Sequence, residues 1–331
     1  MQHTTAMNAP NRSTCEAQDA DEHAHNLTNW QQEYDQLRGG GFYGRIDEIA
    51  LVGCQVFREH TNRALRQQCN VWNDALWLGI PVRTSECRIN GLPLESGQLM
   101  CRPGGRDFEL VTPDGFDIFG IVIREDMLLH LAERQGRTID LARLIESPRL
   151  SVGRAELERV RMLLGRLVDL TSLQLDSEQQ RQLAGEALLD LLDSSQQTGQ
   201  IAPSHARRKK VVDRIKELIH ERPDADLSIP ALCEYAHVSR RTLQYCFESV
   251  LGMSPVQFLR TARLNQVRRA LASGEPDDTV SVVATRYGFR HAGQFASDYK
   301  ALFGENPSET LRRVPHGRIR SGSANSVPRQ I

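Results

Sequence analysis

The chain of 331 residues contains no apolar run approaching the roughly 20 residues that a helix needs to cross a bilayer. It has no basic-then-apolar leader either, so a secretory signal is not expected and the chain reads as cytoplasmic. Its seven cysteines, at 15, 54, 69, 87, 101, 233 and 246, form no CxxC pair. An odd, scattered set excludes a disulfide-stapled scaffold and zinc-ligand spacing, and fits reduced thiols. His60 is the only histidine between residues 42 and 123, so the clustered histidines of a catalytic metal barrel are missing. No Ser/His/Asp or Cys/His arrangement stands out, which leaves an enzyme as the weaker alternative. Arg102-Pro103-Gly104-Gly105 lacks the GK[ST] of a phosphate loop and reads as a turn.

What the chain does have is an uneven charge distribution. Residues 205–331 hold 21 Lys+Arg against 13 Asp+Glu, a balance of +8, while the preceding 204 residues carry −9. That asymmetry predicts that the C-terminal part alone meets a polyanion.

The expected fold class is α+β, with a β-rich sensor domain carrying a helical hairpin and an all-α domain of two helix-turn-helix units. Residues 1–26, His23 and His25 included, read as a disordered tail. Residues 27–37 read as a short helix closed by Gly39-Gly40-Gly41. Short alternating segments follow at 46–57, 65–72, 76–82, 86–89, 98–102, 108–110 and 116–123, the spacing of a sandwich or barrel whose mouth suits a small ligand. Helical stripes at 154–173 and 177–192 form a hairpin that either pairs two protomers as a homodimer or covers its own barrel. The predicted division is a β-rich domain at 27–193, a linker at 194–206, a DNA-binding domain at 207–314 and a disordered tail at 315–331.

The C-terminal third carries the clearest pattern. Ser228 and Pro230 open a short helix, and Ser239 caps a second in which Leu243, Phe247 and Val250 fall on one face. The opposite face presents Arg240, Arg241, Gln244 and Tyr245. Arg and Gln form bidentate bonds to guanine and adenine edges in the major groove, so this pair of helices matches a helix-turn-helix reader. The run 207–210 (RRKK) touches phosphates or is a solvated linker end. Residues 255–273 predict one long helix of about 28 Å, comparable to the roughly 34 Å between successive major-groove faces. The pattern then repeats: a helix from Thr279, a turn at Gly288-Phe289, a second helix buried through Phe295 and Tyr299, and a last helix from Pro307.

On these residues the region 210–313 resembles the AraC/XylS family, through HVSRRTLQ, RLNQVRRAL and YGFRHAGQFASDYKALFGENPSETL. The resemblance implies two units binding adjacent major grooves of promoter DNA, with RNA polymerase as a partner. It places Arg241, Gln244 and Tyr245 on the first reading face and Ala292, Gly293 and Ser297 on the second. The small second set predicts that unit one reads bases. Unit two would then position the protein on phosphates, assisted by Arg290, His291, Gln294 and Lys300. The segments LTNWQQEYDQLRGGGFYG, QVFREHTNRALRQQCNVW and RPGGRDFELVTPD are similar to the ethanolamine operon regulator branch, which implies ethanolamine with a cobalamin as co-effector. An ammonium-bearing effector would want carboxylates and aromatic faces, for which Glu59, Glu109, Trp72 and Trp77 are candidates, although tryptophans in strands more often fill cores.

Overall fold

The computed structural model describes residues 11–83, 86–169, 175–197, 201–222, 227–275 and 278–313. The tail expected at 315–331 and the first ten residues lie outside them. The N-terminal half runs through β1 (Asn11–Ala17), α1 (Ala20–Ala24), β2 (Gln31–Gln36), β3 (Gly44–Leu51), β4 (Cys54–Thr61) and β5 (Leu65–Asn70). It continues with β6 (Ala75–Pro81), β7 (Arg88–Ile89), β8 (Leu92–Pro93), β9 (Gln98–Pro103), β10 (Phe108–Thr112) and β11 (Phe116–Arg124). Helices α2 (Glu125–Arg134) and α3 (Leu141–Glu146), β12 (Arg149–Ser151), α4 (Arg154–Val168), α5 (Ser177–Ser194) and β13 (Gln196–Gln197) complete it. The C-terminal half is helical: α6 (Pro203–Glu221), α7 (Ile229–Ala236), α8 (Arg240–Leu251), α9 (Pro255–Ser273), α10 (Val280–Arg286), α11 (Ala292–Phe303) and α12 (Pro307–Arg312).

Two antiparallel sheets face each other, ordered β1-β3-β4-β11-β6-β9-β12-β13 and β2-β5-β10-β7-β8. Between them Trp77 stacks on Phe108 at 4.7 Å, Trp30 meets Trp77 edge-on, and Tyr34, Phe57, Met100 and Ile118 fill the rest. The interior next to Trp77 is therefore occupied by aromatic rings. Strand β6 is buried at every position, because Trp77 points inward while Leu76, Leu78 and Ile80 meet helices on the other face. Two covered faces explain why ALWLGIP reads as a continuous apolar run instead of an alternation.

The helices over that outer face settle the hairpin's alternatives. Leu157, Val160, Leu164 and Leu167 of α4 and Ala184, Leu188 and Leu191 of α5 share one core with Val56, Leu78, Ile121 and Ile123 of the sheet. The apolar stripe thus covers its own domain and is not left for a second protomer. Truncating a fully buried member such as Leu164 would cost about 2–5 kcal/mol. The segment 46–57, read as one strand, is a hairpin of β3 and β4 turning at Val52-Gly53.

Two expectations at the N-terminus are overturned. From residue 11 the expected tail is ordered. NRSTCEA forms an edge strand laddered to β3, with Thr14 Oγ1 donating to Asp47 Oδ1 at 2.7 Å. Helix α1 is capped by Asp19, and His23 is fully buried with Nε2 3.1 Å from Glu59 Oε1. An edge strand with one solvent face carries little apolar signal, so composition alone reads it as unstructured. The helix expected at 27–37 is strand β2, because ladder bonds to β5 override its helical propensity.

The C-terminal half has two cores joined by α9. Phe258, Leu259 and Ala262 enter the core of α6, α7 and α8, whereas Leu264, Val267 and Leu271 enter that of α10 and α11. The third face of α9 docks on the N-terminal domain. There the Asn265 side chain accepts from Gln36 N at 2.9 Å and donates to Gln36 O at 3.0 Å, pairing with β2 as another strand would. Arg268 pairs with Asp19 and Glu305, and Arg269 with Asp35 and Glu33. The linker expected at 194–206 is structured where it is described: α5 runs to Ser194, β13 pairs with β12, and α6 opens at Pro203.

Candidate nucleic-acid interface

Each helix of the first unit starts and stops where the sequence places a cap. Ser228 Oγ accepts from Ala231 N, and Ser239 Oγ accepts from Thr242 N at 3.1 Å. Between the two helices His237 adopts a left-handed conformation (φ 53°), and Val238 N reaches back to Cys233 O at 3.0 Å. Leu243, Cys246, Phe247, Val250 and Leu251 bury one face of α8. Arg240, Arg241 and Tyr245 are left exposed on the other, as expected, and Gln244 is half-buried.

The second unit repeats this frame. Gly288 takes the left-handed position and Phe289 N returns to Ala284 O at 3.0 Å. Helix α11 is 12 residues long, as α8 is, and buries Phe295, Tyr299, Leu302 and Phe303. Arg290, His291, Ala292, Gly293, Gln294, Ser297 and Lys300 are exposed, and a Cβ on Gly293 would meet nothing within 4 Å. His291 serves as the N-cap of α11 without a side-chain cap bond, where Ser239 supplies one in unit one.

The reading faces differ in what they can do. Arg240 and Arg241 make no ion pair among the described residues, so their guanidiniums are available to a partner. Gln244 Nε2 donates to Glu248 Oε1 at 2.6 Å, an i,i+4 pair worth only about 0.2–0.5 kcal/mol on a helix surface and easily exchanged for a base edge. On α11 the long polar side chain Gln294 is held by Asp298 Oδ1 at 2.6 Å, and Asp298 is itself paired with Arg260 of α9. Ala292, Gly293 and Ser297 offer a smooth surface suited to close approach.

Sequence reasoning missed how tightly the N-terminal domain grips the second unit. Gly40 N donates to the carbonyls of Ala301 (3.2 Å) and Leu302 (3.0 Å), and Gln36 Nε2 also donates to Leu302 O at 2.7 Å. These are the carbonyls that the end of α11 leaves unpaired, so the glycine loop caps this helix from another domain. A Cβ on Gly39 would stand 2.6 Å from Ala301 O, and one on Gly304 would stand 2.8 Å from Gly41 N. The triple glycine was read as the stop of a helix at 27–37, which is strand β2 instead. The use of the glycines is close backbone approach.

The charge asymmetry is partly spent inside the molecule. Besides the α9 pairs, Lys216 Nζ lies 2.8 Å from Glu109 Oε2, and Arg66 bridges Glu109 and Asp35 at 2.6 and 3.0 Å. Burial alone would raise the Glu109 carboxyl, but Arg66 and Lys216 outweigh it and hold the group at about 2. Exposed cations such as Arg207, Lys210, Arg240, Arg241 and Lys300 remain for an external polyanion.

The four effector candidates are not brought together. Glu59 is consumed by His23 and by Tyr34 Oη, both at 3.1 Å. Trp77 is core, and half-buried Trp72 packs against the same core. Glu109 alone lines a cleft of about 740 Å³ between the two domains, with Gln32, Gln266 and Lys216 also in its walls. Among the described residues no three His, Cys, Asp or Glu side chains gather as a metal site, and no helix is long and apolar enough to cross a membrane. No cysteine among the described residues is in a disulfide, and burial pushes the Cys54 and Cys101 thiols up to about 12, away from the thiolate form.

Known proteins match the C-terminal part of the chain. Residues 232–313 match the family described as "Helix-turn-helix domain". The chain is 39% identical over 90 residues to the probable thc operon regulatory protein of Rhodococcus erythropolis, covering 27% of each. It is 36% identical over 102 residues to the XylDLEGF operon transcriptional activator 1 of Pseudomonas putida, covering 30% of this chain and 31% of that protein. Among solved structures, a probable AraC family transcriptional regulator from Rhodopseudomonas palustris CGA009 is 34% identical over 31% of this chain and 96% of its own, with a TM-score of 0.30. Residues 232–313 thus form a helix-turn-helix domain. The chain spans less than a third of the length of the two curated relatives, and those relatives are regulators, not enzymes.

Proposed function

We propose that the chain is a sequence-specific DNA-binding transcription regulator of the cytoplasm, an activator that meets RNA polymerase at a promoter and answers to a small molecule. One observation carries the reading: two 12-residue helices with solvent-facing N-terminal turns hang on a single continuous helix, α9, whose 19 residues enter both cores. A rigid spacer of about 28 Å suits two readers on one side of a duplex.

The response to a small molecule rests on the N-terminal domain. Of the residues considered for an ammonium group, Glu109 fits best. It is ionised, it lines the interdomain cleft, and its buried Oε1 has no partner while Oε2 accepts from Arg66 and Lys216. A ligand there would touch both domains and so bias how they dock. The resemblance to the ethanolamine branch makes ethanolamine with a cobalamin the first pair to try. The test is a footprint on the region upstream of the chain's own gene, with and without that pair. Protection of a discrete site supports the DNA reading, and a pattern that ignores both compounds removes the effector claim alone. Protection that depends on no compound at all would favour a constitutive architectural binder.

A further inference from the structure

A second cleft, of about 680 Å³, lies beside the first recognition helix, between β7, β8 and β12 on one side and α6 and α8 on the other. Arg88, Arg149, Arg208 and His205 line it, against the exposed carboxylates of Glu95 and Glu248. Arg88 Nη1 donates to Ser249 O at 3.0 Å, and burial lowers its guanidinium below the usual value, as it does that of Arg149. Arg208 lies over the Tyr245 ring at 5.3 Å, and its buried Nε has no hydrogen-bond partner. His205 is 7% exposed. Burial lowers its pKa, the bond to Asn90 O opposes this, and the charges of Arg208, Arg149 and Lys209 lower it further. The imidazole therefore registers a positive field in a partly buried cleft, where an anion would regain what desolvation took from the Arg208 guanidinium, while Arg149 also donates from Nη1 to Pro93 O at 2.5 Å.

We propose that this cleft binds a small anion, a carboxylate- or phosphate-bearing molecule, on the Arg149 and Arg208 guanidiniums beside Tyr245. The chemistry is that of an anionic oxygen, so a free metabolite and a DNA backbone phosphate are its two sources. Its regulatory consequence rests on the DNA reading above. An anion draws Arg208 away from the Tyr245 ring and so links ligand binding to the reading face of α8.

The experiment uses the full chain at constant ionic strength, first without DNA and then, as a separate arm, with a duplex. Inorganic phosphate and succinate are titrated by calorimetry, and the His205 ring is followed by NMR across pH. Saturable binding is expected, with the His205 pKa rising by about half a unit or more. Affinity should fall about tenfold in Arg208→Gln and again in Arg149→Gln. A free ion is the source if phosphate or succinate shifts His205. The DNA backbone is the source if only a duplex does so, with the same dependence on Arg208. Absence of any His205 shift with all three probes overturns the proposal. So does binding that is unchanged in both variants while their melting curves match the wild type. Because the anion titrations contain no DNA, they can fail while promoter binding stands, and the reverse.

Discussion

The two helix-turn-helix units share a skeleton and differ on the surface. From α8 to α11 four of the five buried positions, the left-handed glycine caps and the following cap-proline pairs (Ser254-Pro255 and Asn306-Pro307) recur 52 residues apart. The turn before α11 is one residue longer, because two residues separate Gly288 from its N-cap, Phe289 and Arg290, where Val238 alone separates His237 from Ser239. The exposed residues diverge: Arg240, Arg241 and Tyr245 in the first unit face Ala292, Gly293 and Ser297 in the second. Their attachments diverge too. Unit one is held mainly by side chains (Arg88 to Ser249 O, Lys216 to Glu109), whereas unit two is held by backbone capping from the Gly39–Gly41 loop. The repeat keeps the residues that fold and varies those exposed on the second helix of each unit.

The largest effect that would break this comparison concerns the side-chain attachment of unit one. Glu109 is held at about 2 when folded, against 4.5 ordinarily, so its contribution is fully present above about pH 4.5 and is lost as pH falls toward 2. The contribution is on the order of 3 kcal/mol, and Glu109→Gln should flatten the acid limb of a denaturation profile. An unchanged acid limb would mean that the ion pairs do not hold the domains. The next effect lies on the reading face. Arg241→Ala should cost about 2 kcal/mol on the matched site, roughly thirtyfold, and nearly nothing on mismatched sites, as read by anisotropy titration.

Asn265→Leu removes both bonds to the Gln36 backbone and leaves a buried N–H unpaired, a loss of about 1–2 kcal/mol measurable by urea unfolding. Retained stability would show that α9 does not need its strand-like pairing. The smallest effect is expected from Lys300→Ala. It should weaken binding a fewfold on every sequence and reduce the slope of log affinity against log salt by about one. If Lys300→Ala instead altered sequence preference as Arg241→Ala does, the division between reader and anchor would collapse.

How much was legible in the sequence follows the same physical line. The C-terminal helices could be placed from caps and periodicity, with Ser239, Gly252, Pro255 and Gly274 all marking observed boundaries. Local chemistry sets those ends, so local sequence reveals them. Strand β1 and helix α1 were not legible, because a polar edge strand and a five-residue helix draw their stability from β3 and from burial of His23. Helix α2 was missed for a related reason: only Leu128 and Ala132 are buried on it, too sparse a stripe to stand out. The exposed candidates at the DNA face could be named residue by residue. The effector candidates could not, since whether Glu59 or Glu109 is free depends on His23, Tyr34, Arg66 and Lys216, which lie 25 to 107 residues away.

The most direct measurement is a hydroxyl-radical and methylation footprint of the intact chain on a selected duplex at physiological salt. Two protected major-groove segments are expected on one face of the DNA, about one helical turn apart, with Arg241→Ala erasing base protection in only one of them. A single protected segment, or affinity for that duplex no greater than for random DNA, would contradict a pair of readers mounted on α9.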